Sequence, residues 1–67
     1  MSLSEEQQNF LHDLFEAVEA NPGKISDWEK GFLTDNKDRF DAHGAELRVS
    51  TKQWAIFVRV GDKLGLG

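Results

Sequence analysis

Three times in 67 residues the same short phrase recurs: Leu3-Ser4-Glu5-Glu6-Gln7, Ile25-Ser26-Asp27-Trp28-Glu29 and Val49-Ser50-Thr51-Lys52-Gln53. Each is an apolar residue, a serine, and a glutamine or glutamate three positions after the serine. That is a capping box. The serine oxygen accepts an orphan amide of the first helical turn, and the Gln or Glu side chain reaches back to the serine amide. No other feature constrains the chain as strongly, because it fixes where helices begin. It predicts an all-α fold, a compact three-helix domain with helices over about 5–20, 27–43 and 51–64.

Apolar periodicity supports each segment. In the first, Phe10, Leu11, Leu14, Phe15 and Val18 form one stripe, and Asn21-Pro22-Gly23 stops the helix. In the second, Trp28, Phe32, Leu33 and Phe40 share a face, with Asn36 and His43 projecting onto it, and His43-Gly44 marks the end. A buried asparagine left unpaired costs about 1–3 kcal/mol. Asn36 is therefore expected to mark a distortion of the helix around Thr34-Asp35-Asn36, to cap a neighbouring segment, or to line a partner's groove, the two structural options being favoured because local side-chain-to-backbone bonding is the usual behaviour of this residue type. In the third, Trp54, Phe57, Val60, Gly61 and Leu64 form a broad apolar face with Ile56 and Val58 at its margins. Val49 before the cap and Trp54 suit a hydrophobic staple. Leu47 is the one apolar anchor of the loop before it, and Gly65-Leu66-Gly67 reads as a frayed tail.

A single domain of this size is near the lower limit for an unaided core, and there is no cysteine to staple it. Five Phe and two Trp supply the bulk instead. The chain shows neither a membrane-span run nor a signal-peptide pattern, so a cytoplasmic location is expected. The formal charge of −4 is uneven: residues 1–20 carry −5 with no Lys or Arg, residues 21–47 carry −2, and residues 48–67 carry +3. Lys52, Arg59 and Lys63 fall within roughly 40° of one another on the third helix, and Arg48 extends that stripe. The plain reading is an acidic first helix neutralising a basic third one. The sharper one is a basic face offered to phosphates or to an acidic protein.

The residues that carry chemistry are sparse. The three cap serines are accounted for as caps, and nucleophilic catalysis has no cysteine to use. His12 and Glu16 are an ordinary i,i+4 helical pair, and His43 suits a helix C-terminus. Asp35-Asn36-Lys37-Asp38 lacks the glycine and terminal glutamate of a calcium loop, and there is no phosphate-binding glycine loop. The expectation is a non-enzyme with no cofactor and no metal, acting by binding.

The motifs Leu3-Ser4-x-x-Gln7-x-x-Phe10-Leu11, Ser26-Asp27-Trp28-Glu29-Lys30-Gly31-Phe32-Leu33 and Ser50-x-Lys52-Gln53-Trp54-Ala55-Ile56 resemble a small helical module of phage-encoded proteins. The resemblance covers most of the chain and has no catalytic signature. Asn36 departs from it, where an apolar or long helix-forming residue is expected. It implies a phage or host protein partner, in phage DNA metabolism or host takeover. The residues read as candidates for interaction are Arg48, Lys52, Trp54, Arg59 and Lys63. If exposed, Trp54, Ile56 or Val58 would anchor a protein partner or a second copy. The alternatives are a weak nucleic-acid-binding accessory domain using the basic stripe, and an acidic inhibitor presenting first-helix carboxylates to a basic protein.

Overall fold

The computed structural model describes residues 3–66. All three capping boxes are formed, with serine and Gln or Glu side chains exchanging hydrogen bonds of 2.8 to 3.2 Å with each other's backbone amides. They open α1 (Glu5–Ala20), α2 (Asp27–His43) and α3 (Thr51–Lys63). Among the described residues these are the three α-helices, and the architecture is all-α. Short 3₁₀ turns at Pro22–Lys24 and Gly44–Glu46 tighten the connections. Gly44 takes φ +56°, a conformation that costs glycine little, and so lets the chain leave α2.

The core is built as the stripes require. Leu11, Leu14, Phe15 and Val18 of α1 meet Leu33 of α2 and Phe57 and Val60 of α3, with Ile25 and Leu47 closing the two connections. Phe57 lies at the centre: its ring is 5.5 Å from Phe32, 5.9 Å from Trp54 and 6.4 Å from Phe15. Phe15 continues the chain of aromatics to Phe40 at 5.9 Å. Gly61 of α3 lies against Phe10 of α1, where a Cβ would stand 3.0 Å from Phe10 Cζ. The N-terminal segment is pinned by the Leu3 amide, which donates to Ala45 O at 2.7 Å.

Asn36 is buried, and its Nδ2 donates to Phe32 O, one turn back, at 2.8 Å. It takes the local backbone bond, and α2 runs unbroken through it.

Four expectations are corrected. Trp28 is not a core residue; it is 60 % exposed. The inward sector of α2 centres on Glu29, Leu33, Asn36 and Phe40, and Trp28 lies about 100° away from Glu29. His43 is exposed, because α2 ends at that residue, beyond the layer that covers Leu33 and Asn36. The tail folds back onto the end of α3 through Leu66: Gly65 at φ +82° directs the Leu66 amide to Gly61 O at 2.8 Å and its own amide to Asp62 O at 3.2 Å, a Schellman closure. Gly67 lies outside the described residues. Finally, among the described residues no basic side chain of α3 pairs with a carboxylate of α1; Lys63 and Arg59 approach Glu29 of α2 instead.

Candidate functional site

The start of α2 and the end of α3 come together around one carboxylate. Glu29 is the third residue of α2, and its role in the capping box aims it inward, so that only 3 % of it is exposed. One oxygen accepts the Ser26 amide at 3.0 Å, and Lys63 Nζ from the last turn of α3 donates to both oxygens at 2.9 and 3.0 Å. Arg59 Nε, one turn earlier on α3, stands 4.0 Å from the same carboxylate. The Ser26 backbone N–H, and after it the Lys63 ammonium, hold the Glu29 carboxyl down to about 2 against the opposing effect of burial. Glu29 is therefore charged through the neutral range and ties the two helix ends together.

On the outer side of that junction lies Trp28. Its ring stacks on Phe32 at 5.5 Å with 9° between the planes, and Phe32 in turn rests on Phe57. A large aromatic surface is thus presented to solvent on a support that reaches the middle of the core. Its capping position is the signal that foretells this. The third residue of each helix is committed to reach back to the serine, and the second residue is turned about 100° from it.

The five sequence candidates separate. Lys63 is engaged with Glu29, and Arg59 is at the edge of the same pair with its side chain 60 % exposed. Arg48 and Lys52 are exposed, and among the described residues neither has a carboxylate within ion-pair distance. Trp54 is half-buried, its ring 5.7 Å from Phe10 and edge-on to Phe57. It is a packing residue. Ile56 also packs against the core, while Val58 is 42 % exposed.

Helix α1 has its own polar face. His12 Nε2 lies 3.8 Å from Glu16 Oε1, and His12 Nδ1 lies 4.0 Å from Asp13 Oδ1, so the two carboxylates approach opposite sides of the ring. These three side chains bring ligand-type atoms within 4.8 Å of one another, and all three are exposed. Glu19 pairs with Lys37 of α2 across the groove between the two helices. No helix among the described residues is long and apolar enough to cross a membrane.

Comparison of the chain with protein-family models, with curated proteins and with solved structures found no match.

Proposed function

We propose that this chain is a small non-enzymatic protein that works by binding another protein, with Trp28 as its anchor. One observation carries the reading: a tryptophan 60 % exposed yet held flat on the partly buried Phe32, which rests on the buried Phe57. Tryptophan is the residue type most enriched among interface hot spots, and a ring already held in place loses little freedom when a partner covers it. The non-enzymatic reading is supported by the cap serines, each committed to a backbone amide, and by the openness of the histidine cluster. The phage setting rests on the sequence resemblance.

The test is affinity capture with the wild-type chain, Trp28→Ala, and Arg48→Gln/Lys52→Gln. Proteins retained by the wild type and the double variant but lost from Trp28→Ala would support the reading. Retention of the same proteins by Trp28→Ala, or of none by any form, would overturn it.

A second reading, weak nucleic-acid binding, draws on the unpaired Arg48 and Lys52, the largely exposed Arg59, and a ring on which a base can stack. Lys63 is already spent on Glu29, which leaves few phosphate contacts and a shallow salt dependence. Titration with single-stranded DNA over a salt series separates the two readings.

A further inference from the structure

Between α1 and α2, on the α1 carboxylate side, an open cleft of about 240 Å³ has Phe15 and Phe40 among its walls, together with Glu16, Glu19, Asp41 and Lys37. Its volume is below the roughly 300 Å³ at which small-molecule sites begin, so it suits a single side chain better than a whole cofactor. Its charge is lopsided, with three carboxylates against one ammonium. The half-buried Phe40 offers an aromatic surface, backed by the buried Phe15 ring 5.9 Å away and tilted by 50°.

The molecule itself shows what such a cleft accepts. Lys37 lies half-buried at one wall and gives its ammonium to Glu19. That bond, reinforced by the nearby charges of Asp41 and Asp38, pushes the Lys37 ammonium above the usual lysine range. Glu16 is left with His12 at 3.8 Å, and Asp41 has no cationic group within ion-pair distance among the described residues. An aliphatic stem against aromatic rings and a cationic head among carboxylates is the arrangement a second lysine or an arginine would find.

From this geometry we infer that the α1–α2 cleft is a docking site for a Lys or Arg side chain of a basic protein segment, its head taken by Glu16 and Asp41 and its stem laid on Phe40. Charge complementarity selects this occupant: residues 1–20 carry five carboxylates and no Lys or Arg, so a basic partner is also steered toward this face. The site is separate from Trp28 and does not rest on that reading.

The test is an amide-resolved NMR titration of the full chain with a decalysine peptide at low salt, with decaglutamate as the control probe. The expected shifts concentrate on residues 12–19 and 37–41. Glu16→Gln/Asp41→Asn should weaken decalysine binding about tenfold, as loss of two ion pairs implies. Glu5→Gln/Glu6→Gln, which removes the same charge elsewhere on α1, should weaken it no more than about threefold. Lys37→Gln, which frees Glu19, should tighten it, and Trp28→Ala should leave it unchanged. Equal losses in the two double variants would overturn the site in favour of diffuse attraction. So would shifts centred on residues 4–9, or no binding at low salt.

Discussion

Trp28 and Trp54 are the same side chain near the start of two helices that open with the same capping box, yet one faces solvent and the other packs. Trp54 is the fourth residue of α3, where a hydrophobic staple can bring it toward the residue before the cap. It lies against Phe10 and Phe57. Trp28 is the second residue of α2, one step before the inward-pointing Glu29, and the rotation of one residue carries its ring outside. Position within the cap, more than hydrophobicity, decided which tryptophan became core. The difference also separates two roles: Trp54 contributes to stability, and Trp28 leaves apolar surface available to a partner.

The comparison can be broken most directly at Trp54. Trp54→Ala should destabilise the fold by about 3 kcal/mol, as aromatic truncation in a packed site does. Denaturant unfolding measures it, and a loss under about 1 kcal/mol would mean that the ring is no more structural than Trp28.

Next in size is the carboxylate beside Trp28. Glu29→Ala removes a cap bond and the partner of Lys63 together, and should cost about 2 kcal/mol. The pH dependence gives this prediction a sign. The folded pKa of about 2 lies below the ordinary 4.5, so the stabilisation is full above about pH 4.5 and is lost as pH falls toward 2. Glu29→Gln, which can still accept the Ser26 amide, should flatten that part of the stability profile. An unchanged acid limb would show that the charge of Glu29 contributes little.

The close approach of α1 and α3 is a third point of attack. Gly61→Val should destabilise by about 1–2 kcal/mol, because the added side chain has to displace Phe10, which also supports Trp54. Thermal unfolding reads the loss, and a stabilised variant would mean that Phe10 gives way freely. The smallest effect is expected at Trp28 itself. Trp28→Ala should change stability by less than about 1 kcal/mol, since most of the ring is already in water. Comparable losses at Trp28 and Trp54 would end the distinction between them.

The helical frame was legible in the chain because its signals are local. A serine and a Gln or Glu three residues later satisfy backbone groups within one turn, and Asn21-Pro22-Gly23 and Gly44 end helices by their own backbone preferences. The bond from Asn36 to Phe32 O belongs to the same class. The candidate site was legible only in part. Arg59 and Lys63 were singled out as basic surface, but nothing near them in sequence shows that their acid is Glu29, 34 positions before Lys63. The acidic cleft was similarly hidden, since Glu16 and Asp41 lie on different helices.

By itself, then, the sequence determined where the three helices start and stop, which stripes of α1 and α3 form the core, and that charge is divided between the ends of the chain. Those properties depend on hydrogen bonds and periodicity within a few residues. Only the tertiary structure decided that α3 is tethered to α2 through a buried carboxylate rather than neutralised by α1, and that α1 and α2 flank an acidic cleft. Each depends on the angle at which one helix meets another. That angle is set by the fit of Phe57, Phe15, Phe32 and the bare surface of Gly61 against their neighbours, which no single helix encodes.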